Sequence, residues 1–140
     1  MEQNNSSKNG SLITWTISLV AIIFGMMTLR SGGATLFVTE VRANVGNAVF
    51  FVLWINFILG FAYIAAGVGL ILGRSWAKNL SLGIASITLL TYAAFGIHIA
   101  VGGLFMAKTV KVMAIRSLVW LCIAFYAVKT DTIKIQNQED

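Results

Sequence analysis

The charged residues of this chain fall in clumps and leave long stretches between them. No Asp, Glu, Lys or Arg occurs in Asn9–Leu29, Ala43–Gly73, Asn79–Ala107 or Ser117–Val128. Two of these intervals exceed by a wide margin the roughly 20 apolar residues that a helix needs to cross a bilayer. The pattern predicts four transmembrane helices, near Leu12–Leu29, Val45–Leu72, Leu80–Leu104 and Val112–Val128. A polar segment precedes them over residues 1–11, and a polar, exposed tail follows over 129–140. The apolar runs are continuous, whereas barrel strands alternate and span about ten residues, so helices are preferred. Proline is absent, which removes the usual cause of a sharp kink. The expected fold is all-α, a transmembrane four-helix bundle.

Successive spans run in opposite directions, so position along the chain converts to depth. Glu40, Arg42, Asn44 and Asn47 come together at the start of the second helix. His98 lies about six residues before the expected end of the third helix, or about 9 Å at the α-helical rise. Arg116 lies about four residues into the fourth, and Arg30, Lys108 and Lys111 share that end. One end of the bundle therefore collects the unusual polar chemistry. Two readings of Arg116 stand side by side: a snorkelling anchor near the interface, or an inward-facing group paired with Glu40, the only acid between Glu2 and Asp131.

Three- and four-residue steps place Asn56, Gly60, Tyr63 and Gly67 on one stripe, Thr88, Thr91, Phe95, His98 and Gly102 on another, and Thr109, Met113, Arg116, Trp120 and Ile123 on a third. Polar groups in hydrocarbon need partners, so each stripe is expected to face protein. Gly69 and Gly73, Ala62 and Ala66, and Gly83 offer close helix approach, and mid-span Asn56 is the candidate interhelical hydrogen bond.

Composition agrees: 58% of the 140 residues are hydrophobic and only 11% charged, where about a quarter is usual in soluble domains. The first apolar run, 18 residues, is longer than a signal-peptide core, so it reads as a retained signal-anchor helix. Net charge is +5, but the basic residues flank helices, which points to membrane lipid headgroups as partners and not to nucleic acid. Lys and Arg number five on the side of the termini (Lys8, Arg74, Lys78, Lys129, Lys134) and four on the other (Arg30, Arg42, Lys108, Lys111), Arg116 set aside. The count places both termini inside. Trp15 and Trp76 fit an aromatic belt at the opposite end from His98.

No complete catalytic set emerges. Cys122 is the only cysteine and His98 the only histidine, so neither a disulfide nor bis-histidine haem ligation is available. His98 with Met26, Met106 and Met113 would be a soft set suited to Cu(I), although methionine is also a routine gap-filler. A proton relay would need ionisable groups through the depth of the bilayer, and the half toward Arg74 offers only hydroxyls. His98 reads mainly as an interfacial residue and secondarily as part of a ligand site. No cofactor is expected. The candidate polar cluster is Glu40, Arg42, Asn47, Asn56, His98, Lys108 and Arg116.

The stretch from Gly46 to Trp120 resembles a family of small four-span bacterial inner-membrane proteins. Its core is G-N-x-x-x-F-V-x-x-x-N-F-x-x-G-F-x-Y, matched from Gly46 to Tyr63, and its ending G-G-x-x-x-x-K-T-V…R is matched from Gly102 to Arg116. That family often carries an acid after the double glycine, where this chain has Leu104, Phe105 and Met106. The resemblance implies architecture and an inner-membrane location, without an activity. A looser similarity to DoxX-type four-helix proteins would imply redox or quinone-linked partners. The leading expectation is a non-enzymatic accessory subunit or binder of a hydrophobic, lipid-like ligand at the polar end. Its alternatives are a homo-oligomeric transporter or channel, and a membrane redox component.

Overall fold

A computed structural model describes the backbone of residues 2–46 and 48–139, and the side chains of 11–46 and 48–130. The elements are α1 (Glu2–Phe37), α2 (Thr39–Val45), α3 (Phe50–Ile71), α4 (Ser75–Ala100) and α5 (Ala107–Glu139), with no strand among the described residues. Four segments are long and apolar enough to cross a membrane: Ser11–Phe37, Phe50–Ile71, Ser75–Ala100 and Ala107–Thr130. The shortest, at 22 residues, extends about 33 Å, enough for a hydrocarbon core of about 30 Å. The protein is an all-α, multi-pass membrane protein.

Burial follows the inside-out logic of that environment. The exterior is lined by Ile58, Leu90, Ile97, Leu118 and Phe125, all more than 60% exposed, while Ser18, Thr28, Ser81, Thr88 and Arg116 are buried. An apolar surface of this extent belongs in lipid. The inward stripes are buried over most of their length, through Gly60, Tyr63 and Gly67 on α3, Thr88, Thr91 and Phe95 on α4, and Met113, Arg116, Trp120 and Ile123 on α5, whereas Asn56, His98 and Thr109 are only partly buried and Gly102 is exposed beyond the end of α4.

Closest packing joins α1 to α3, which run antiparallel. A methyl group at Gly67 would sit 2.7 Å from Ile22 Cγ1 and 2.8 Å from the Ser18 carbonyl. One at Gly25 would sit 2.7 Å from Ile64 Cγ1 and 2.9 Å from the Gly60 carbonyl. Small residues let the two backbones touch here. The contact is not the Gly69/Gly73 pair suggested by spacing. Gly69 meets Trp76 and Ala77 at the start of α4, and Gly73, at φ 62°, turns the chain out of α3 while Arg74 N–H bonds the Gly69 carbonyl. Gly83 approaches nothing.

Further packing joins α3 to α4 and α4 to α5. The fourth side of the bundle, α1 against α5, has scarcely any close backbone approach. Side chains span it at two levels. Thr14 and Tyr126 hydroxyls lie 2.8 Å apart near the termini, and Arg116 reaches Thr28 toward the other end.

Helix limits shift the depths inferred from sequence. α1 does not stop near Leu29 but continues through Gly32 and Gly33, which lie against the Phe57 ring, so packing overrides their low helix propensity. The segment expected to open the second span folds separately as α2, and α3 starts at Phe50. α4 ends at Ala100 because Gly102 adopts φ 84° and Gly103 N–H bonds the His98 carbonyl. α5 starts at Ala107, so Arg116 sits nine residues inside it, about 13 Å from its start. At the two ends of the chain, helix also covers residues of the segments read as polar flanks. The exposure expected of the C-terminal tail lies outside the described side chains.

Candidate functional site

At the α2 end, a cavity of about 310 Å³ opens between α1, the α2–α3 connection, the start of α3 and the start of α5. From α1 it takes Thr28, Ser31 and Thr35, spaced by three and four residues so that one helical face presents all three. From α3 it takes Val52 and Asn56, and from α5 Lys108, Thr109, Met113 and Arg116. No Asp or Glu is among its lining residues. The wall is thus two cations, several hydroxyls and the amides of Asn44 and Asn56, on a floor of apolar side chains.

Arg116 is the deepest charge and only 6% exposed. Its Nη2 donates to Thr28 Oγ1 at 3.3 Å, and its guanidinium carbon lies 5.7 Å from the Phe24 ring centre and 5.9 Å from that of Tyr63. Nε and Nη1 are buried and make no hydrogen bond of good geometry, although the Tyr63 hydroxyl, also without such a bond, is near enough to interact with the guanidinium. Each such orphaned donor costs about 1–3 kcal/mol, and the two ring contacts of this buried group return about 2 kcal/mol each when desolvated, without supplying a hydrogen bond or an opposite charge. The chain alone under-compensates this group. Snorkelling does not describe it, since the residue is buried at mid-span.

The expected pairing with Glu40 is not made. Glu40 is exposed on α2, and its carbonyl accepts from Asn44 Nδ2 at 2.9 Å. The physical reason is the separate α2 helix, which holds Glu40 outside while Arg116 lies deeper than its sequence position suggested. Arg42 is also outside the cavity. Its Nη2 donates to the Leu36 carbonyl at 2.9 Å, and it lies over Phe50 at 5.0 Å, tying α2 to the ends of α1 and α3. Asn47 lies outside the described residues.

His98 likewise serves its own turn. Its Nε2 donates to the Leu104 carbonyl at 3.3 Å, its ring packs against Gly103 and meets the edge of Phe51 at 6.3 Å, and it does not line the cavity. The copper set does not assemble: Met26 is 53% exposed on the outer surface, Met113 is fully buried beside Val52 and Phe95, and only Met106 and Met113 reach the cavity. Among the described residues no group of three His, Cys, Asp or Glu could hold a metal.

Of the sequence candidates, Asn56, Lys108 and Arg116 come together. Asn56 Nδ2 makes only a weak bond to Met113 Sδ at 3.4 Å, and its Oδ1 is buried without a partner. The α1 wall was not legible in the sequence. Thr28, Ser31 and Thr35 carry a helical spacing, but ending the first helix near Leu29 left two of the three in a loop.

Fold and cavity together define a transmembrane four-helix bundle with a cationic, hydroxyl-lined chamber at one end. No protein-family model, curated protein or solved structure matches the chain. The resemblance seen between Gly46 and Trp120 therefore stands on its residues alone.

Proposed function

We propose that this protein is a membrane-embedded binding protein for an amphipathic, lipid-like ligand, whose polar head occupies the chamber and whose tail leaves through the seam between α1 and α5. The observation that carries the reading is the chamber's position. It is a polar pocket of about 310 Å³ in a helix bundle with an apolar exterior, between α1 and α5, whose backbones approach little and are bridged there by Arg116 and Thr28. Ligand sites of this size are concave, with a few convergent polar groups on apolar walls. The lining has no acid and no adjacent nucleophile and base, which favours holding a molecule over transforming it.

By the charge count, both termini lie in the cytoplasm and the chamber faces the other side of a bacterial inner membrane, in keeping with the resemblance noted above. The test is photo-crosslinking of a lipid bearing a diazirine in its acyl chain to protein in native membranes. Label is expected on the cavity-side residues of α1 and α5, and to be displaced by unlabelled lipid. Labelling spread evenly over the outward faces of all four spans, without displacement, refutes the reading.

A further inference from the structure

We infer that the head held in this chamber is a phosphate oxyanion and that Arg116 is its counter-ion; the inference rests on the lipid-binding reading and names its chemistry. Arg116 is buried, lines the cavity, and keeps two donors, Nε and Nη1, without a hydrogen bond of good geometry. Nε shares one edge of the planar guanidinium with Nη2 and Nη1 shares the other, and Nη2 spends only one of its two N–H groups on Thr28, so either edge can grip an oxyanion through two parallel bonds. A buried cation needs a compensating charge, and the chain supplies none there. The acids of the sequence are Glu2, Glu40, Asp131, Glu139 and Asp140; Glu40 is exposed on α2, and the others lie outside the transmembrane spans.

The surrounding groups select among anions. A halide would use a small part of about 310 Å³. Lys108 at the rim and the hydroxyls of Thr28, Ser31 and Thr109 provide a second charge and more donors than the two oxygens of a carboxylate can engage. A phosphodiester headgroup adds its ester oxygens and headgroup hydroxyls to its two charged oxygens, and a monoester or free phosphate carries three or more oxygens and up to two charges, so either engages more of these donors than a carboxylate does. The same chemistry is offered by a phospholipid headgroup and by free phosphate, and the apolar exterior of the bundle around the chamber favours the lipid.

The test uses the full chain, delipidated in a neutral detergent, with binding followed by tryptophan fluorescence and by native mass spectrometry. Probes are phosphatidylglycerol, phosphatidylcholine with the same acyl chains, oleate and inorganic phosphate. Phosphatidylglycerol is expected to bind at least tenfold more tightly than phosphatidylcholine. Arg116→Gln is expected to bring the two within about twofold, Arg116→Lys to keep part of the preference, and exposed Arg30→Gln to keep all of it. If Arg116→Gln does not fold, Lys108→Gln at the rim serves instead, with a preference reduced at least threefold. Inorganic phosphate binding that is lost in these variants, without lipid binding, supports the oxyanion site, assigns it to free phosphate and overturns the lipid reading. Tighter binding of oleate than of phosphatidylglycerol overturns the phosphate assignment. Equal binding of both phospholipids, insensitive to Arg116 and Lys108, overturns the counter-ion role and leaves the lipid reading standing. No saturable binding of any probe overturns both.

Discussion

The α1–α3 contact predicts opposite signs for one chemical change made at two glycines. At Gly96 an added methyl group meets nothing within 4 Å, so Gly96→Ala should recover the helix-propensity advantage of alanine, about 0.5–1 kcal/mol. At Gly67 the same methyl group would lie 2.7 Å from Ile22 Cγ1 and 2.8 Å from the Ser18 carbonyl oxygen. Ile22 can turn, but a helix backbone cannot yield without moving α1 off α3, and overpacking of this kind costs about 1–3 kcal/mol. The two variants should therefore differ by roughly that amount, with Gly67→Ala less stable than the parent or at best equal to it. Ile22→Ala in the Gly67→Ala background should restore only part of the loss, because the clash with the Ser18 carbonyl remains. The assay is SDS titration of the detergent-solubilised protein, read by far-ultraviolet circular dichroism. Equal stabilisation by Gly67→Ala and Gly96→Ala would refute the close α1–α3 approach, and with it the wall that holds Thr28 and Thr35 over the cavity.

Three further outcomes follow from named contacts. Tyr126→Phe removes the 2.8 Å hydroxyl pair with Thr14 and should lower stability in the same titration by about 0.5–1.5 kcal/mol; adding Thr14→Val should cost less than the sum of the single changes. Arg116→Met should raise the melting temperature of delipidated protein, since replacing a buried charge by an apolar side chain of similar volume is often stabilising by about 1–4 kcal/mol, yet abolish the further stabilisation that phosphatidylglycerol gives the parent. A melting temperature lowered in both conditions would show that the guanidinium is satisfied within the chain. Cys122 is exposed on α5 in the middle of a span, so in native membranes it should resist a charged maleimide and react after SDS is added; labelling in intact membranes would place it in water.

Three spans were legible because charge exclusion over 20 or more residues has no other common physical cause, and the fourth, charge-free only over Ser117–Val128, was legible from its continuous apolar run. The inward stripes were legible too, since Tyr63, Thr88, Met113, Arg116 and Trp120 fall at helical spacings that continue over several turns. Helix ends were not. Gly32 and Gly33 resemble a terminator, and only their contact with Phe57 keeps α1 helical there. Gly102 and Gly103 terminate α4, but the double glycine alone does not say that the helix closes at Ala100, four residues before the expected end. Those few residues moved His98 outward and Arg116 inward, and they replaced an ion pair with Glu40 by an unpaired guanidinium in a cavity. Contact between glycines on different helices was equally hidden: Gly25 with Gly60 depends on how α1 and α3 rotate against each other, which neither helix encodes alone.

Holding and conducting make different demands on the interior beneath Arg116. A conducting path needs ionisable groups or a wet passage through the full depth. Below the guanidinium, the interior polar atoms are those of Tyr63, Thr88, Trp120, Ser81 and Ser18, all on side chains buried to 0% exposure. Tyr63 and Trp120 rings meet at 4.5 Å, tilted by 36°, and Ala21, Ile84, Ile123 and Ala124 close around them. A charge driven past that layer would lose the groups around it and meet only neutral dipoles in a dry, low-dielectric core, at a cost of several kcal/mol. Within a single copy of the described chain the packed layer therefore closes the chamber on the side of the termini. That geometry suits a protein that takes a molecule from one leaflet and holds or presents it there, and it leaves passage across the bilayer to interfaces between copies.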